Sequence, residues 1–82
     1  MRIRVRLFAI LRQRAGVDQF DLEVPSGTTA IEASRAVAAR MPALADLVPK
    51  TALAVNREYA DGNRQLVEGD ELALLPAVSG GA

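Results

Sequence analysis

The residues that could do chemistry in this chain are carboxylates and almost nothing else. Cysteine and histidine are both absent, which removes the thiolate nucleophile, the imidazole base and the usual ligands of zinc and iron–sulfur centres. Two carboxylate pairs stand at short spacing, Asp21 with Glu23 and Asp70 with Glu71. Alternate acids on a strand suit general acid–base work, but they are more often a solvated strand face. Asp70 follows Gly69, and an aspartate there more often bonds its own turn than a metal. A further carboxylate is the main chain's own, after Pro76-Ala77-Val78-Ser79-Gly80-Gly81-Ala82. Gly80 and Gly81 have no Cβ and fit a slot too narrow for other residues. From Pro76 to Gly81 an extended backbone reaches roughly 17 Å, far enough to enter a partner's buried active site. Alone, such an end is more often a frayed terminus. Its meaning rests on the body that carries it, and the whole pattern points to a protein that is acted upon.

Ten basic residues balance ten acidic ones, half the chain is hydrophobic, and the aromatics are two phenylalanines and one tyrosine. At 82 residues this predicts one small domain with a thin core to which most apolar side chains are committed. Without a basic excess or an aromatic-rich surface, nucleic acid is a poor partner. The apolar runs are too short to cross a bilayer, and Met1-Arg2-Ile3-Arg4 lacks the apolar stretch of a signal peptide, so a cytoplasmic location is expected.

Ile3, Val5 and Leu7 alternate with Arg2, Arg4 and Arg6, which predicts a strand with one buried and one wet face. Phe8 shares the arginines' parity, outside the buried set. Phe8, Leu11 and Ala15 then fall at helical spacing and Gly16 stands where a left-handed cap belongs, so a short helix spans Ala9–Ala15. Phe20, Leu22 and Val24 alternate with Asp21 and Glu23 in a second strand that stops at Pro25-Ser26-Gly27. If the two strands pair, these acids meet the arginines across the sheet. Thr29 and Glu32 have the spacing of a capping box, opening a helix that Pro42 closes after Met41. Its inward stripe is read as Ile31, Ser34, Val37, Ala38 and Met41, with further alanines allowing close approach to a sheet. Leu44 and Leu47 or Val48 anchor a connector from Ala43 to Lys50. A third strand covers Ala52–Asn56, Tyr59 starts a brief return after an Asn56-Arg57 turn, and Asp61-Gly62-Asn63 forms another turn. Gly69 supplies a positive φ before the last strand, Glu71–Leu75.

One principal helix covers one sheet face, so the fold class is α+β in two layers. With the last strand paired to the first, the order describes a β-grasp, the ubiquitin-like mixed sheet. The domain is expected over residues 1–76, with 77–82 a flexible tail bearing the Gly-Gly pair.

Three segments, RLFAILRQRAG (Arg6–Gly16), VPSGTTAIE (Val24–Glu32) and LAVNREYADGNRQLVEGDELALLPAVSGG (Leu53–Gly81), carry a resemblance over nearly the whole chain. Together they resemble the small subunit of molybdopterin synthase, a ubiquitin-like sulfur carrier family. The specific parts are Ala54-Val55-Asn56, Gly69-Asp70-Glu71-Leu72 and the Pro-x-Val-Ser-Gly-Gly end. The sulfur carrier of thiazole synthesis is similar in fold but usually lacks the first helix.

This resemblance implies that the carboxylate of Gly81 is adenylated by a ubiquitin-activating-like adenylyltransferase and converted to a thiocarboxylate by a sulfurtransferase persulfide. It further implies sulfur donation to a pyranopterin precursor inside a heterotetramer with the large synthase subunit. This chain would bind no cofactor; ATP and magnesium belong to the activating enzyme, and the catalytic groups to the partners. Gly81 and Gly80 would form the reacting end, with Phe8, Leu75, Pro76, Val78 and Ser79 against partners. Leu75 has a core reading as well, since burying a leucine is worth roughly 1.5–3 kcal/mol. One departure stands out: the family ends at the second glycine, whereas Ala82 follows here. An extra residue moves the reacting carbon by about 3.5 Å, so removal of Ala82 is expected, against its being tolerated or inactivating. A protein modifier, or a sulfur carrier for transfer-RNA thiolation or thiazole synthesis, would use the same activated Gly81 on another acceptor.

Overall fold

The computed structural model describes residues 1–76. Strand β1 (Arg2–Leu7) leads through helix α1 (Ile10–Ala15) to β2 (Gln19–Glu23), then helix α2 (Ala30–Arg40). Two single 3₁₀ turns, Pro42–Leu44 and Val48–Lys50, connect it to β3 (Thr51–Val55), β4 (Glu58–Tyr59) and β5 (Glu71–Pro76). The sheet order is β2-β1-β5-β3-β4. β5 lies in the middle, parallel to β1 and antiparallel to β3, while β1 and β2 are antiparallel. This mixed sheet under one principal helix is the expected β-grasp.

Each boundary has a local cause. Gly16 caps α1 at φ 79°, its N–H donating to the Arg12 carbonyl. At α2 the capping box forms: Glu32 N–H donates to Thr29 Oγ1 at 3.3 Å and Thr29 N–H to Glu32 Oε1 at 2.9 Å. Met41 leaves helical geometry at φ −126°, ψ 81° ahead of Pro42. Asn56 and Arg57 both have positive φ (52° and 72°), as the tight turn between β3 and β4 requires.

The core lies between α2 and one face of the sheet, where Ile3, Val5, Leu7, Val55, Leu72 and Leu74 are all but fully buried. The buried stripe of α2 is Ala30, Ala33, Ser34 and Val37. Ile31, Ala38 and Met41, predicted to share that stripe, flank it half-buried. The sequence pattern left Ala30 and Ala33 out of the stripe, whereas both are fully buried. Ser34 fits there because its hydroxyl donates to the Ile31 carbonyl at 2.7 Å. Leu44 and Val48 anchor the connector, with Leu47 half-buried.

The box also couples α2 to pH. Hydrogen bonds from the Thr29 N–H and then the Thr29 hydroxyl lower the Glu32 pKa below its ordinary 4.5. A carboxylate with a depressed folded pKa stabilises above its unfolded pKa, and that contribution is lost as pH falls through the folded value. Thr29→Ala is expected to cost about 1 kcal/mol at neutral pH, read from urea unfolding. The gap to the parent chain should narrow as the pH is brought below 4.5; a gap constant with pH would separate the cap from Glu32 ionisation.

Candidate functional site

Successive residues of a strand point to opposite faces, so the burial of Ile3, Val5, Leu7, Leu72 and Leu74 leaves Arg2, Arg4, Arg6, Glu71, Ala73 and Leu75 on the face away from α2. Strand register arranges this outer face in rows. Asp21, Arg4 and Glu71 form one row, Gln19, Arg6, Ala73, Ala54 and Tyr59 the next, and Leu75 with Ala52 the last. The face is therefore divided into a charged half and an apolar half.

The charged half is matched across strands. Arg2 lies 3.8 Å from Glu23 and Arg4 3.7 Å from Asp21, the pairing expected from the sequence. These exposed pairs are worth little individually. Asp70, on the adjoining turn, is 8% exposed. Its carboxylate accepts from Val67 N–H at 2.8 Å and Asn56 Nδ2 at 3.0 Å, while Asn56 Oδ1 accepts from Glu71 N–H at 3.0 Å. Gly69, at φ 86°, makes that turn possible. Asp70 thus bonds its own turn, as read, and also fastens the β3–β4 turn to the start of β5. Both carboxylate pairs serve structure here.

The apolar half consists of Phe8, Ala52, Ala54, Tyr59, Ala73 and Leu75. Tyr59 is 80% exposed, whereas Ala54 and Ala73 are buried. Leu7 is the register partner of Leu74, so Phe8, the residue just past the end of β1, follows on beside Leu75 of β5. Phe8 is half-buried and outside the core cluster. The Arg6 guanidinium lies over its ring at 5.1 Å and 3.8 Å from Glu71, so Arg6 marks the border between the halves. Ala9, at φ 53° and ψ −127°, makes the turn after Phe8 at a backbone strain of order 1–3 kcal/mol. Ile10, 41% exposed, follows at the head of α1.

Of the residues proposed from sequence, Phe8 and Leu75 lie together on this half. Leu75 is half-buried on the face opposite the core and outside the core cluster, which contradicts its core reading. Pro76 has the parity of Leu72 and Leu74 and sits half-buried at the end of β5, opposite Thr51. Val78, Ser79, Gly80, Gly81 and Ala82 lie outside the described residues. Ala52, Ala54, Ala73 and Tyr59 were missed from sequence. The signal was there in small residues at alternate positions of two strands otherwise rich in leucine and valine.

β5 ends, at Pro76, beside the apolar half. Among the described residues, no group of three or more acidic side chains could hold a metal ion, and no helix is long and apolar enough to cross a membrane.

The chain is 35% identical to the molybdopterin synthase sulfur carrier subunit of Arabidopsis thaliana, over 96% of its length and 82% of the relative's. Among solved structures it is similar to SAMP1 from Haloferax volcanii, with 30% identity, a TM-score of 0.85, and 98% and 99% of the two chains covered. It is also similar to a chain in the complex of subunits 1 and 2 of molybdopterin-converting factor from Helicobacter pylori. There the identity is 27%, the TM-score 0.71, and the coverage 98% and 99%. The ThiS family model matches residues 5–81, nearly all of the sheet, both helices and the Gly-Gly pair: the chain belongs to the ThiS family.

Proposed function

We propose that this chain is a sulfur carrier subunit of molybdopterin synthase, with Gly81 as the sulfur-bearing residue. The observation that carries the reading is the position of β5, a central strand whose last residues border a half-buried apolar face with Tyr59 at its exposed rim and precede Gly80 and Gly81 in the sequence. A partner that covers Phe8, Leu75 and Tyr59 thereby receives the chain end. The similarity to sulfur carrier subunits supplies the chemical class, and the similarity to a chain of a two-subunit complex supports a large subunit as the occupant of that face.

The chemistry follows from the carboxylate. A carboxylate is a poor electrophile, so an adenylyltransferase partner with ATP and magnesium first forms the acyl-adenylate at Gly81, releasing pyrophosphate. The terminal sulfur of a sulfurtransferase persulfide then attacks the acyl carbon, and AMP departs with the bonding electron pair. A partner thiol opens the remaining sulfur–sulfur bond, forming a disulfide and leaving the thiocarboxylate. The large subunit transfers that sulfur to the pyranopterin precursor. No acid or base from this chain is required, in accord with its lack of histidine and cysteine. Ala82 is removed before activation, and the remainder after residue 76 acts as a tail reaching into the partners.

Co-expression with an untagged large subunit, followed by intact mass analysis, tests the reading. The expected result is a stable complex and a carrier ending at Gly81 with one oxygen exchanged for sulfur. Lysine-linked conjugates without that complex would instead make the chain a protein modifier. In the same system, Phe8→Asp is expected to weaken large-subunit binding by about thirtyfold or more. Its melting temperature should stay close to the parent's, because Phe8 is outside the core cluster. An unfolded Phe8→Asp variant would reassign Phe8 to the core.

A further inference from the structure

Strand β2 forms one edge of the sheet, and its phase against β1 shows which of its main-chain groups are free. Val24 N–H donates to the Met1 carbonyl at 2.9 Å, the Met1 ammonium to the Val24 carbonyl at 2.7 Å, and Leu7 N–H to the Asp18 carbonyl at 2.9 Å. In an antiparallel ladder, hydrogen-bonded pairs alternate with non-bonded ones. Asp18, Phe20, Leu22 and Val24 therefore bond to β1, and the N–H and C=O groups of Gln19, Asp21 and Glu23 point away from the sheet. Among the described residues β2 pairs with β1 alone. A row of unpaired backbone groups is a template for an added strand.

The two sides of this edge differ in chemistry. On the α2 side lies an open groove of about 340 Å³, lined by Val24, Pro25, Thr28, Glu32 and Ala36 among others. Ala36 is small enough to leave it unfilled. Farther along β2 the half-buried ring of Phe20 lies 5.2 Å beneath the Arg40 guanidinium. On the opposite side the Asp21 and Glu23 side chains are 51% and 70% exposed. An incoming strand would thus meet carboxylates on one face and apolar surface on the other. Residues directly opposite one another across strands set the preference, and like charges there are destabilising.

β1 already satisfies this rule from the other side. Its alternation, Arg2-Ile3-Arg4-Val5-Arg6-Leu7, places arginines beside the β2 acids and apolar residues beside Phe20 and Leu22. We propose that the free edge of β2 takes up an extended segment of another protein in which lysine or arginine alternates with valine, isoleucine or leucine, as a sixth strand beside α2. A second copy of this chain fits poorly. Pairing of two β2 edges about Asp21 sets acid against acid, and β1 of the second copy is enclosed between its own β2 and β5.

The probe is a blocked six-residue peptide alternating lysine and valine, with a glutamate–valine peptide as control, titrated into the full chain. Amide exchange read by NMR is expected to slow at Gln19, Asp21 and Glu23 in proportion to occupancy by the basic peptide. Affinity should fall about tenfold for the double variant Asp21→Lys, Glu23→Lys, which should gain the acidic peptide. If that variant does not fold, Asp21→Asn, which keeps the side chain's size, provides the comparison and should bind the basic peptide more weakly than the parent. Failure of the three amides to slow, equal binding of both peptides, or slowing confined to the β3–β5 face would overturn the proposal. Concentration-dependent slowing without peptide would overturn it in favour of self-association.

Discussion

Replacing Gly80 and Gly81 together by valine is expected to abolish thiocarboxylate formation while leaving the fold's melting temperature unchanged. The two side chains would add branched bulk where an acyl carbon must meet ATP and then a persulfide in a partner's site. Displacement of a reacting atom by even about 1 Å costs of order a hundredfold in rate, and branching beside the carboxyl widens the chain by more than that. Both glycines come after β5 in the sequence, and an unchanged melting temperature would separate lost activity from lost folding. The readout is the mass of the carrier after incubation with activating enzyme, ATP and sulfur donor. Unimpaired oxygen-to-sulfur exchange in the double-valine variant would remove the chain end from the chemistry and end the carrier reading.

Leu74→Ala has the largest expected effect on stability. Leu74 is fully buried and central in the sheet, with Leu7 beside it on β1 and Leu53 on β3. Truncating such a leucine costs about 2–5 kcal/mol, a large share of the roughly 5–15 kcal/mol that holds a domain together. At about 4–8 °C per kcal/mol for a domain of this size, the melting temperature should drop by at least roughly 8 °C. Leu75→Ala, one residue on and facing away from the core, should leave the melting temperature nearly unchanged and weaken the large-subunit complex instead. Equal destabilisation by both variants would contradict the division of β5 into a core side and a docking side.

The sequence made legible what depends on period and punctuation. Alternating arginines placed β1, Thr29 and Glu32 marked the start of α2, Gly16 ended α1 and Gly69 prepared β5, each through a local physical requirement. The central place of β5 followed from needing a partner for β1. Less legible was anything carried by alanine, which fits a helix stripe, a crowded sheet row or a solvent face equally well. That is why Ala30 and Ala33 displaced larger residues as the contact line of α2, and why the apolar half around Ala52, Ala54 and Ala73 was represented only by Phe8 and Leu75. The parity of Pro76 was open to reading from its spacing to Leu72 and Leu74, whereas the free phase of β2 depends on register, which a single strand's sequence does not encode. Val78 to Ala82 lie outside the described residues, so their part in the site rests on chemistry alone.

The position of β5 has a further consequence. Without it the sheet falls into two separate pieces, β1 with β2 and β3 with β4, and the surface proposed to meet the large subunit is divided between them. Phe8 stays with one piece; Ala52, Ala54 and Tyr59 stay with the other. Joining them requires residues from opposite ends of the described chain to find each other, which is the slow kind of step in folding. A half-made molecule therefore offers its customers no complete landing place, and selection of finished carriers over unfinished ones is inherent in the topology.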